Sequence, residues 1–326
     1  MFSALGLSKM LQERIAATVA IFFILKLSSG FGDNSGTKIL IVSFAMSIFC
    51  LLFSNSKDKL QFNRTFVKNI ALICLSIILT FVINIEPIKD AMIFVIYFCC
   101  SLILTKAISK EKFIEYLTDI IVIISLASLI VFFAGMFQPA LLDRYGSPCQ
   151  NSLGYAGRDY LLSVYVTHSY RNYGIFWEPG AFQIFLNYGI IYELFCDKRK
   201  GKTIRIIALL TALITTFSTT GYISLCLILM AFFIESKNNN RILPILCLIP
   251  VAFFIFSNSE SYYWDNIWNK LGNRGNSGSS ANIRLAAFYS PFIAMFDNIV
   301  FGVGYRGLKD FASESGFRLI TCTPSN

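Results

Sequence analysis

The chain has 326 residues, 55% of them AVILMFWYC and only 14% charged, and its net charge is +9. Soluble domains carry about a quarter charged residues, so this composition excludes an ordinary soluble enzyme and a disordered chain. The basic residues lie in short clusters between apolar runs, where they orient helices in a bilayer and form no nucleic-acid-binding patch.

Apolar runs of spanning or near-spanning length fall at about 15–31, 39–54, 70–85, 91–105, 116–137, 175–196, 206–234 and 242–257. They predict an all-α, polytopic membrane helix bundle, a single integral-membrane domain over 1–326 with no repeat at a fixed period. The first run has a signal-like flank in Lys9 and Arg14, but no clean cleavage site follows, so it reads as a span. Lys57, Lys59, Arg64 and Lys68 follow the second run, Lys106, Lys110 and Lys112 the fourth, and Lys198, Arg199, Lys200, Lys202 and Arg205 the sixth. The gaps after the first and third carry only Lys38 and Lys89. Short basic loops stay in the cytoplasm, which predicts a cytoplasmic N-terminus. Lys26 alone looks deep, and its long stem can carry the charge outward.

The 206–234 run has basic clusters on both flanks, the second being Lys237 and Arg241. A single crossing would put one cluster outside. Its middle, Thr215-Thr216-Phe217-Ser218-Thr219-Thr220-Gly221-Tyr222, is a hydroxyl-rich break, and two short helices meeting there keep both clusters inside. Irregular backbone at membrane depth is tolerated where protein buries it or where it lines a wet cavity. The alternative is one long tilted helix whose Ser and Thr bond back to their own turn.

Two long external loops follow from this parity, about 138–173 and 258–326. The first holds Tyr145, Tyr155, Tyr160, Tyr165, Tyr170 and Tyr173 with Arg144, Arg158 and Arg171. Flat aromatic faces beside polar groups suit a carbohydrate, and arginine forks suit a phosphate. The competing reading is an interfacial aromatic belt, to which Trp177, Trp264 and Trp268 also conform. In the second loop, 283–301 reads as an interfacial helix. Arg171, Arg274, Arg284 and Arg306 sit outside, where topology does not favour positive charge, and an anionic lipid headgroup or lipid diphosphate would account for them. Cys149 and Cys322 are the cysteines placed outside, where a bridge is permitted. There is one histidine, His168, and no HExxH, Walker or GxGxxG pattern, so a multi-His metal site is excluded and no cofactor is implied. In Arg171-Asn172-Tyr173-Gly174-Ile175-Phe176-Trp177-Glu178-Pro179-Gly180-Ala181-Phe182-Gln183, Pro179 fits a first helical turn and Glu178 favours the positive helix end.

That segment, the Ser218-Thr219-Thr220-Gly221 break, Asn282-Ile283-Arg284-Leu285 and Phe301-Gly302-Val303-Gly304-Tyr305 resemble elements of bacterial O-antigen polymerases of the Wzy type and of O-antigen ligases. The likeness covers about 165–326. It implies metal-independent, inverting glycosyl transfer at the outer face of the plasma membrane, with undecaprenyl diphosphate as leaving group and a chain-length regulator protein as partner. Arg171, Arg158, Arg274, Arg284 and Arg306 would then bind substrate with Trp177, and Glu178 would accept the acceptor's proton. The ligases look to a late external His that this chain lacks, and family members continue through further spans, so the chain reads as C-terminally truncated. A lipid-linked oligosaccharide flippase is the alternative of a different class.

Overall fold

The computed structural model describes residues 9–27, 36–53, 64–85, 87–150, 156–167, 169, 171–176, 178–195 and 201–235, then 289, 292–296, 298–299, 302–304 and 307. The helices are α1 (Lys9–Leu27), α2 (Gly36–Phe53), α3 (Arg64–Ile83), α4 (Ile88–Ala107), α5 (Lys110–Phe137), α6 (Pro139–Tyr145), α7 (Pro179–Phe195), α8 (Lys202–Thr215) and α9 (Thr219–Glu235). Between α6 and α7 lie three short strands, β1 (Ser147–Gln150), β2 (Ala156–Asp159) and β3 (Val164–Val166). Helix therefore dominates, as the run lengths predict, and the run at 242–257 lies outside the described residues.

The chain divides into two compact units, 1–60 with 99–251, and 61–98 with 252–326. In the second, α3 returns into the start of α4 through a turn at Asn84 and Ile85, and the Phe81 and Phe94 rings meet at 5.7 Å. Residues 292–296, inside the expected interfacial segment, are helical.

The first unit exposes large apolar side chains and buries several hydroxyls within an otherwise apolar core. Along α5, Ile123, Leu126, Ile130, Phe133 and Phe137 form an exposed stripe, while Thr118, Ser125 and Ser128 are buried on the other side. Each of those hydroxyls is satisfied by a carbonyl three or four residues back. On α9, Ile223, Leu227, Met230 and Ile234 repeat the exposed stripe. Water would expel such a surface, whereas a hydrocarbon solvent leaves small and polar groups to make the helix contacts. Among the described residues α5 is long and apolar enough to cross a bilayer, with shorter apolar stretches such as Ala91–Ala107 and Thr219–Glu235. The molecule is a helical membrane protein.

The helices can be oriented from their contacts. The Arg14 guanidinium bonds Asp119 at 2.8 Å, and Lys112 Nζ bonds Glu13 at 2.8 Å, so α1 and α5 start at the same end. Arg205 spans Asp119 and Glu193, each at 2.7 Å, which adds the C-terminal end of α7 and the start of α8. Lys26, at the far end of α1, is buried against Asp159 of β2 at 2.6 Å. It does not carry its charge out to solvent as expected, because that carboxylate comes to it.

The 206–234 run is broken where the sequence indicates. α8 leaves the C-terminal end of α7, where Lys202 Nζ donates to the Leu194 carbonyl (3.0 Å), and climbs to the other end. α9 then returns along α7: Asn187 Nδ2 donates to the Gly221 carbonyl (3.2 Å) at its start, and Phe232 meets Phe195 edge-on near its end. The legs of 14 and 17 residues rise about 21 and 25 Å, each short of a hydrocarbon core of roughly 30 Å. A single long tilted helix is ruled out. The turn is made by Phe217, whose φ of 50° is a left-handed conformation that bulky residues rarely adopt.

The segment 138–173 is corrected from loop to folded module. β1, β2 and β3 form an antiparallel sheet in that order, with Ser147 opposite Asp159 and Gly157 opposite Val166. A Cβ on Gly135 of α5 would lie 2.6 Å from the Tyr165 ring, so the bare backbone there lets β3 settle on the helix.

Candidate functional site

Of the candidate residues, Arg171, Arg158 and Glu178 lie at the end of the first unit that holds the sheet and the α8–α9 break. The segment joining β3 to α7 is anchored there by its own sequence. Gly174 has φ +56°, and a Cβ on it would lie 2.8 Å from the Phe182 ring. Ile175 is fully buried, and Phe176 stacks on Phe185 at 4.6 Å. The Asn172 amide N–H and side chain bond the carbonyl and hydroxyl of Thr215, and the side chain also reaches Ser128. Three elements are thereby tied at one buried asparagine.

Arg171 follows from that placement. Its Nε donates to the Thr216 carbonyl at 3.0 Å and its Nη2 to the Phe217 carbonyl at 3.1 Å. The guanidinium thus holds two of the carbonyls that the end of α8 leaves without a helical partner. Beside it opens a cavity of about 450 Å³. Ser128, Phe132, Arg171 and Asn172 line it, as do Tyr165, Thr167 and Ser169 of the β3 segment, and Met136, Pro139 and Asp143 at its far side. Ser128, Val164, Val166 and Asn172 are buried, whereas Met136, Pro139 and Asp143 are exposed, so the cavity has a floor of mixed polar and apolar groups and an open rim.

Of the residues singled out from sequence, Arg171 lines the cavity and Arg158 borders it, with Nε 3.8 Å from the Asp143 carboxylate and Nη1 3.4 Å from the Gly146 carbonyl. Glu178 stands at the start of α7, where its carbonyl accepts the Ala181 and Phe182 amides. It is partly buried and is not among the lining residues. Trp177, Arg274, Arg284 and Arg306 lie outside the described residues, as does His168. Of the tyrosines, Tyr165 lines the cavity, Tyr173 is buried and accepts from Ser169, and the Tyr160 hydroxyl donates to the Leu142 carbonyl. Cys149 is a free thiol, pushed up to about 11 by burial and then by the Asp159 carboxylate. Cys322 lies outside the described residues.

Sequence reasoning missed Asp143 and Asn172. Asp143 had no signal beyond a charge in an external segment, but Asn172 adjoins Arg171 within the most informative stretch, and its buried amide is what fixes the arginine's backbone. Among the described residues no group of His, Cys, Asp or Glu is placed to hold a metal ion.

Residues 204–321 match the family model described as O-Antigen ligase. The matched stretch takes in the α8–α9 break and, in sequence, Arg274, Arg284 and Arg306. The cavity and the Arg171 segment lie ahead of it. This match supports assignment to the O-antigen polymerase and ligase family, membrane proteins that carry out glycosyl transfer. No curated protein and no solved structure matches the chain.

Proposed function

We propose, on the premise of that family match, that the chain polymerises oligosaccharide repeat units carried on undecaprenyl diphosphate at the outer face of the bacterial inner membrane. The observation that carries this reading is the cavity beside Arg171, at the end of the bundle away from the N-terminal basic flank. If the positive-inside rule holds for that flank, the N-terminus is cytoplasmic in a multi-pass, single integral-membrane domain, and the cavity faces outward. The acceptor hydroxyl attacks the anomeric carbon opposite the diphosphate, the bond from that carbon to the phosphate oxygen breaks, and configuration inverts. Diphosphate is a competent leaving group whose growing charge needs cations. Arg171 supplies one, since neutral carbonyls leave its charge intact, with Arg158, Arg274, Arg284 and Arg306 as further cations and Trp177 as a contact. Glu178 takes the acceptor's proton. No metal is required, so the expected result of EDTA treatment of membranes is an unchanged rate of polymer formation. A membrane lipid surface and a chain-length regulator complete the setting.

The test is a deletion strain complemented with the wild type or with Arg171→Ala. Single repeat units capped on lipid A, restored to a long ladder by wild type and not by the variant, support polymerisation. The match to the O-antigen ligase family favours a second reading, ligation to lipid A, for which deletion removes surface glycan altogether. An unchanged glycan would overturn both.

A further inference from the structure

Two charged residues line the cavity, Arg171 toward the buried floor and Asp143 on the exposed rim. Their signs are opposite, so the cavity is not a uniform anion trap. A diphosphate lying across it would meet the Asp143 carboxylate, and like charges in one site disfavour each other. The rim has other groups of one kind. Thr167 offers a hydroxyl, and Ser169 keeps its lone pairs because its Oγ donates to Tyr173 at 3.2 Å. Asp143 is too far from Arg158, at 3.8 Å, for a hydrogen bond, and both its oxygens accept. Phe132 and Tyr165 add flat rings. Small-molecule sites combine apolar walls with a few placed polar groups within about 300–1,000 Å³, and this cavity has that composition and size.

We infer that the rim of this cavity is a subsite for an uncharged sugar residue, with Asp143 accepting hydrogen bonds from its hydroxyls. This rests on the glycosyl-transfer reading and deepens it. A lipid-linked glycan then lies with its diphosphate toward Arg171 and its sugar toward Asp143, so the site discriminates among glycans at a residue that takes no part in bond breaking.

The experiment uses the full chain in detergent with Ser169→Cys, labelled by a charged methanethiosulfonate reagent and corrected for labelling of the parent. The probes are the repeat-unit oligosaccharide, released from its lipid by mild acid, and inorganic pyrophosphate. The oligosaccharide is expected to slow labelling, and adding Asp143→Ala or the isosteric Asp143→Asn should raise the concentration needed by about tenfold or more, the scale of hydrogen bonds to a charged group. Protection by pyrophosphate should be no weaker after either change, since each removes a like charge from the site. No protection by the oligosaccharide, or equal protection in a folded Asp143→Asn protein, would overturn the inference. Deletion phenotype reads the underlying function separately: altered surface glycan without protection defeats the sugar subsite alone, and unaltered glycan defeats the function.

Discussion

Arg171 bonds the α8–α9 turn and, in the proposed function, also binds diphosphate, and the two tasks can be separated. Hydrogen bonds to a charged group contribute about 1.5–3 kcal/mol each, and here they hold a turn whose left-handed Phe217 costs about 1–3 kcal/mol. Arg171→Ala should therefore lower the melting temperature in detergent as well as shorten the glycan, and Arg171→Lys should recover only part of either because a single ammonium cannot reproduce the planar fork. An unshifted melting temperature would remove the structural task. Glu178 gives the opposite separation. Its capping bonds use the backbone carbonyl, so Glu178→Gln loses at most about 1 kcal/mol of helix-end electrostatics, while loss of a general base costs roughly two orders of magnitude in rate. The expected outcome is normal protein level with collapsed chain length, read from a glycan ladder. Cys149 offers a pH readout. Its thiol is raised to about 11, first by burial and then by Asp159, so only about one molecule in a thousand is thiolate at pH 8, and thiolate is the reactive form. Alkylation should be slow at neutral pH and climb about tenfold per unit toward pH 11. Asp159→Asn removes the negative neighbour, which lowers the pKa and speeds labelling at pH 8, a change that mass spectrometry measures directly.

At the scale of elements, the α8–α9 hairpin was legible because two independent signals agreed: hydroxyl-rich residues around Gly221, and basic clusters on both flanks. Its geometry makes a firm prediction. Thr203→Cys and Glu235→Cys, at the two lower ends, should both resist an impermeant thiol reagent on intact cells and both react after permeabilisation. Reaction of one alone would mean a single crossing. The sheet was not legible. Ser147-Pro148-Cys149-Gln150 has no alternation of apolar and polar residues, and strands this short take their pairing from docking, not from pattern. Gly135 and Gly157 carry that docking, but in sequence they look like any other glycine. The site was half readable: Arg171 stood out as a cation where topology disfavours one, whereas Asp143 acquires meaning only when α6 meets Arg158 of β2 and Tyr160 beyond it.

Across the whole molecule, the basic residues speak to orientation in the membrane and say nothing of what the acids do. Glu13, Asp119 and Glu193 are far apart in sequence, so no local pattern links them, yet with Arg14, Lys112 and Arg205 they join α1, α5, α7 and α8 at one end. Glu193 is fully buried. Removing one member of a buried pair typically costs about 3–5 kcal/mol, while replacing both members is far milder. Arg205→Met, which strips buried Glu193 of this cation, should accordingly lower stability sharply, and combining it with Glu193→Leu should restore much of it, as a double-mutant comparison of melting in detergent would reveal.

The same Arg205–Glu193 pair constrains how the protein enters the membrane during synthesis. An unpaired carboxylate raises a segment's insertion free energy, by about 2.5–3.5 kcal/mol at the helix centre and by less toward its end, where Glu193 lies, and Glu193 comes out of the ribosome twelve residues before its arginine. Unpaired, Glu193 weakens α7 as a stop in the translocon. α7 and α8 together carry a neutralised pair, so they should leave the channel as one hairpin, and Asp119, waiting in α5, closes the network only after that hairpin has arrived.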